Sequence, residues 1–111
     1  MLEKTGQRKI LVRLRERGAW TVKVITCNQP GTPDILAAVP MTLKEIKALF
    51  RRQKKVAVFA GLEVKRINGG VTSRLQQRQL RKIREAGGLA GVVRTYDDVE
   101  RLIKEGIYED A

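Results

Sequence analysis

The stretch Phe59-Ala-Gly-Leu-Glu63-Val-Lys65-Arg66 constrains this chain more than any other. It continues an apolar run that starts at Val56 and breaks at Asn68-Gly-Gly70, the pattern of a strand buried on both faces. Side chains alternate across a strand, so Glu63 and Lys65 project from one side, with Val64 behind them in the core. A carboxylate and an ammonium then stand together. The same Glu-x-Lys triplet recurs at Glu45-Ile-Lys47, but within a helical period, where residues two apart point about 200° from each other. The information therefore lies in the strand context. A second carboxylate, Asp34, follows the turn-forming Gly31-Thr-Pro33 and opens another apolar run, Asp34-Ile-Leu-Ala-Ala-Val39. Two carboxylates beside a lysine suit a hard divalent cation and a phosphate: oxygen ligands hold Mg2+, and a fixed positive charge steadies developing negative charge.

The rest of the chain supplies a frame for these groups. Residues 3–17 read as a helix with Ile10, Leu11 and Leu14 on one face and Gly18 as its stop. Trp20 to Thr26 alternates as a half-buried strand, and Cys27 to Pro33 is a turn-rich loop. Thr42-Leu-Lys-Glu45 is a capping-box signature that opens a helix with Leu43, Ile46, Ala48, Leu49 and Phe50 as its apolar stripe. A further helix starts at Thr72 or Ser73 and runs to Ala86, ended by Gly87-Gly88, with Gln76 placed to close a capping box on Ser73. Leu89 to Arg94 is a short strand, and Asp97-Asp-Val-Glu100 caps a last helix reaching about Glu105 or Gly106. Acids in a first helical turn are expected on dipole grounds, so Asp97, Asp98 and Glu100 read as capping residues rather than ligands. The order αββαβαβα implies an α/β domain with a mixed sheet flanked by helices.

Composition narrows the function classes. A chain of 111 residues reads as one small domain, 1–111, which buries roughly two thirds of its unfolded surface. No apolar run approaches about 18 residues and the N-terminus lacks a signal-peptide core, which points to a soluble, cytoplasmic protein with no membrane partner. The chain has no histidine and one cysteine, Cys27, so zinc-finger ligation and an internal disulfide are excluded, and Cys27 reads as a small semi-buried residue at a strand end. Without a Walker-type loop an ATP motor is not supported. The balance of 23 Lys plus Arg against 12 Asp plus Glu, a formal +11, favours a polyanionic partner, nucleic acid before an anionic membrane because aromatic residues are few.

Taken in order, Gly31-Thr-Pro-Asp34, Gly61-Leu-Glu-Val-Lys-Arg66, Leu75-Gln76 and Ala86-Gly-Gly-Leu-Ala-Gly-Val-Val-Arg94 resemble the VRR-NUC (virus-type replication-repair nuclease) domain of the PD-(D/E)XK nuclease superfamily. The resemblance spans about Glu3 to Leu102, as in stand-alone members of the kind found in phages and bacteria. It implies a restriction-endonuclease-like fold with the segment of about 40–55 as a helical insertion. It also implies phosphodiester hydrolysis with Mg2+, Mn2+ being able to substitute, and products with 5′-phosphate and 3′-hydroxyl ends. Asp34, Glu63, Glu3 (with Gln7 four residues on) and the backbone carbonyl of Val64 are then the implied metal ligands. Lys65 is the catalytic amine and Gln76 its neighbour. The implied substrate is DNA, with branched or junction DNA favoured and a homodimer matching its two equivalent strands. Lys44, Lys47, Arg51, Arg66, Arg74, Arg78 and Arg81 are the candidate DNA-binding residues. A non-catalytic basic module that retains the same fold is the competing expectation.

Overall fold

The computed structural model describes residues 3–106, with side chains from Thr5 onward. The described residues form a small mixed α/β structure of four helices and two small sheets, in the expected element order. The chain divides into two compact units, Met1–Val56 and Ala57–Ala111. Among the described residues no helix is long and apolar enough to cross a membrane.

The second unit is a βαβ element with one more helix: β3 (Ala60–Val64), α3 (Arg74–Glu85), β4 (Leu89–Val93) and α4 (Tyr96–Glu105), the labels following chain order. β3 and β4 pair in parallel, Glu63 opposite Val92, a pairing that requires a crossover, which α3 provides. The ladder runs past both strand ends, with Leu89 N–H donating to Phe59 O at 2.9 Å and Lys65 N–H to Val93 O at 3.0 Å. β4 packs against both α3 and α4, β3 chiefly against α3. The strand buried on both faces is therefore β4, whose Ala90, Val92 and Val93 are buried. This corrects the expectation for 56–66: β3 is shorter, Val56 and Val58 lie outside it and are exposed, and Val64 is 71% exposed rather than in the core.

Glycines let α3 settle on this sheet. A Cβ on Gly61 would stand 2.5 Å from Ile83 Cδ1, the tip of a flexible side chain, whereas one on Gly88 would stand 2.9 Å from both Ile83 Cγ2 and the Phe59 carbonyl oxygen. That carbonyl already accepts from Leu89 and cannot retreat. Gly88→Ala is expected to destabilise the protein by about 1–3 kcal/mol, read as a thermal midpoint lowered by at least about 4 °C in circular dichroism; an unchanged midpoint would refute the packing argument. Thr95, two residues earlier than the expected Asp97, caps α4, with Asp98 as the reciprocal member of its capping box.

The first unit holds α1 (Glu3–Glu16), β1 (Trp20–Lys23), β2 (Ile35–Ala38) and α2 (Leu43–Gln53). β1 and β2 are antiparallel, Trp20 opposite Ala38, so the four described strands form two pairs. β1 ends at Lys23, short of the expected Thr26. The inward stripe of α1 is Gln7, Leu11 and Leu14, spaced i, i+4, i+7, while Ile10 is 52% exposed, contrary to its expected place on the apolar face. Only Leu11 and Ala38 are buried here among the described apolar residues. The predicted Thr42–Glu45 capping box is present, and Arg17 reinforces it by donating to Glu45 Oε2 at 3.2 Å and to Pro40 O. The Thr42 N–H and hydroxyl, with Arg17, hold the Glu45 carboxyl below the usual carboxylate range.

Candidate functional site

Glu63, Lys65 and Gln76 meet on one side of β3. Alternation puts Glu63 and Lys65 on the face covered by α3, and the side chains are 29% and 17% exposed. The helical period brings Gln76 onto the same face of α3 as Leu80 and Ile83, which are buried against the sheet. The result is a closed triangle. Gln76 Nε2 donates to Glu63 Oε1 at 2.6 Å, Lys65 Nζ donates to Gln76 Oε1 at 3.1 Å, and Lys65 Nζ lies 3.4 Å from Glu63 Oε1. An amide is neutral yet satisfies an anion with its NH2 and a cation with its carbonyl oxygen.

Gln76 is itself held. Its Oε1 also accepts the Ser73 N–H at 3.0 Å, while its own N–H donates to Ser73 Oγ at 3.1 Å. The capping-box role and the place beside Lys65 are thus one geometry. Behind Lys65, a Cβ on Gly70 (φ +82°) would come 3.3 Å from Lys65 Cβ, so the 67–70 turn lies against the lysine stem. The Arg94 guanidinium donates to the carbonyls of Gly69 and Gly70 at 3.4 and 3.3 Å and ties that turn to the end of β4. Sequence reasoning assigned Arg94 no role of its own; the signal available was an arginine ending an otherwise apolar strand. A shallow groove bordered by Leu62, Glu63, Leu75, Gln76 and Gln79 opens beside the triangle.

In the first unit the Gly31-Thr-Pro turn delivers Asp34 to the start of β2, exposed, with its main-chain carbonyl accepting from Val24 N–H at 2.8 Å. Its carboxylate is also gripped by an amide: Gln7 Nε2 donates to Asp34 Oδ2 at 3.2 Å. Each of the two carboxylates singled out from sequence thus carries a glutamine. The side chain of Glu3 lies outside the described residues. Val64 turns its side chain to the opposite face of β3 from Glu63, as alternation requires.

Among the described residues no group of three or more His, Cys, Asp or Glu side chains forms a metal cluster. Mg2+ keeps several waters and is commonly held by one or two carboxylates together with substrate phosphates. Glu63 fits that demand, because among the described residues Gln76 and Lys65 both engage its Oε1 and neither engages its Oε2. Its donor is hard oxygen, with an ammonium and an amide alongside.

The basic residues sort by exposure. Arg74, Arg78 and Arg81 lie at i, i+4, i+7 along the solvent side of α3, and Lys44, Lys47, Arg51 and Arg66 are also exposed. Arg84, also on α3, instead turns inward and donates to Ala90 O at 3.0 Å. Cys27 is exposed in the loop after β1, not semi-buried at a strand end. The Thr32 hydroxyl beside it, followed by the Gln29 backbone, lowers its thiol pKa. Comparison of the chain with family models, with curated proteins and with solved structures found no match.

Proposed function

We propose that the protein is a metal-dependent DNA endonuclease that hydrolyses phosphodiester bonds at the Glu63–Gln76–Lys65 centre. The observation that carries this reading is the triangle itself: a carboxylate with a free oxygen, an amine 3.4 Å away and an amide that fixes both. Glu63 serves as an oxygen ligand. Lys65, steadied by Gln76 and by the turn on its stem, orients the attacking water and stabilises charge on the phosphoryl oxygens. A bound Mg2+ or Mn2+ supplies polarisation of the scissile phosphate and acidification of bound water. The +11 charge and the exposed arginines of α3 support a polyanionic substrate. The resemblance adds a restriction-endonuclease-like arrangement, further ligands in Asp34, Glu3 and the Val64 carbonyl, branched or junction DNA as substrate, and a homodimer.

The direct test is a cleavage panel of single-stranded, duplex, flap and four-way DNA, with an RNA control, in Mg2+, in Mn2+ and in EDTA. Cleavage in either metal that stops in EDTA supports the reading. Tight, salt-sensitive binding with no cleavage in any metal would convert the protein into a basic binding module. Light scattering that gives a monomer at micromolar concentration would remove the homodimer.

The α3 arginines give a separable expectation. Arg78→Gln with Arg81→Gln should weaken DNA affinity and reduce the slope of log K against log salt by about 1–2, because roughly one counterion is released for each phosphate neutralised. An unchanged slope, measured by anisotropy from 50 to 200 mM salt, would place the DNA elsewhere.

A further inference from the structure

We infer that the outer surface of α2 is a stacking platform for an unpaired nucleotide, with Phe50 as the base-stacking residue and Lys47, Arg51 and Lys54 as phosphate contacts. The inference rests on the nucleic-acid part of the proposed function and not on its hydrolytic part. α2 is strongly two-sided, yet none of its residues is buried. Phe50 is 52% and Leu43 69% exposed, one above the other at i, i+7. A shallow groove beside them is formed by Ile46, Phe50 and Val56, with Lys47 and Arg51 on its rim.

The charges around this aromatic are uncompensated. The acid within α2, Glu45, is occupied by Thr42 and Arg17, and no ion pair is recorded for Lys47, Arg51 or Lys54 among the described residues. Lys54 occupies the left-handed cap of α2 at φ 66°, a conformation that glycine adopts without strain. Lys54 adds a third cation at the C-terminal end of α2, where the helix dipole also favours positive charge.

Lys47, Phe50 and Arg51 are spaced i, i+3, i+4 and share one helical face, and Lys54 follows at the cap, so the four span about 10 Å along the helix axis. An aromatic set among cations over that span is complementary to a nucleotide, which offers a flat base and a phosphate at each side. In an intact duplex the bases are stacked on one another and present no free face to Phe50. The partner is therefore nucleic acid with unpaired positions: a single strand, a flap or an opened junction. A membrane surface fits less well, since Leu43 and Phe50 are the two large side chains of α2 that stand clear and interfacial helices expose a continuous apolar face.

The test is anisotropy in EDTA with full-length protein and three fluorescein-labelled probes: a 15-nucleotide oligo-dT, an abasic 15-mer of equal charge, and a duplex. Wild type should prefer oligo-dT to the abasic strand by about tenfold. Phe50→Ala should abolish that preference and leave abasic binding unchanged, while Phe50→Trp retains it. Lys47→Gln with Arg51→Gln should weaken both single strands together. Equal loss on the abasic and oligo-dT strands in Phe50→Ala, or no loss on either, overturns the platform. So does a Phe50→Ala defect confined to co-sedimentation with phosphatidylcholine–phosphatidylglycerol vesicles, or to the oligomeric state in light scattering. Wild type that binds none of the three probes sinks the proposed function as well; oligo-dT binding without cleavage sinks the hydrolytic reading alone.

Discussion

Glu63→Gln is expected to lower metal-dependent cleavage by at least about 100-fold while DNA affinity in EDTA changes by less than about twofold. The substitution keeps the shape of the side chain but removes the anionic oxygen that a hard cation requires. Lys65→Met should give a loss of similar size, since the stem still lies against Gly70 and only the ammonium disappears. A purely structural ion pair predicts a different pattern, in which either change lowers the thermal midpoint and spares turnover per folded molecule. Gln76→Ala separates the two ideas further. It removes the amide from Glu63 and Lys65 and opens the capping box on Ser73, which adds about 1 kcal/mol of lost stability. Asp34→Asn is the parallel test of the ligand set implied by resemblance. Cleavage within threefold of wild type in Glu63→Gln or Lys65→Met, in any metal, would end the nuclease proposal.

Much of this architecture was legible because local rules and tertiary packing agree. The capping boxes at Thr42 and Ser73 and the glycine stops at Gly18 and Gly87 depend on nearest neighbours, and all lie where expected. What failed was burial. An apolar run at 56–66 cannot say which strand of a parallel pair receives a second helix, and α4 covers β4 rather than β3, so Val64 is exposed. Ile10 is misplaced on α1 for a related reason: hydropathy places isoleucine inward, whereas Gln7, which the resemblance set beside the implied ligands, takes the inward position and donates to Asp34. The site itself followed the period-2 rule, which puts Glu63 and Lys65 together whatever else packs around them. Arg94 and Gly70 escaped because their role depends on the turn at 67–70 meeting the end of β4, a contact 24 residues apart in sequence.

Leu102→Ala is expected to destabilise the protein by about 2–5 kcal/mol, a fall in midpoint of roughly 10–20 °C. Among the described residues Leu102 is the largest fully buried side chain, at 1% exposure, and it sits on α4, the helix that packs on β4. Truncation leaves a cavity whose lining belongs to a close-packed interior and collapses only in part. A small protein has roughly 5–15 kcal/mol in total, so this single change consumes a large fraction of its stability. Leu102→Met, which conserves volume, should cost less than about 1.5 kcal/mol. The consequence for function runs through β4, because the Val93 carbonyl accepts the Lys65 N–H at 3.0 Å and so helps to hold the amine in register. Well below its lowered midpoint, Leu102→Ala should therefore cleave within a fewfold of wild type, the reverse of the split expected for Glu63→Gln. A midpoint shifted by less than about 4 °C would show that α4 is not what holds β4 in place.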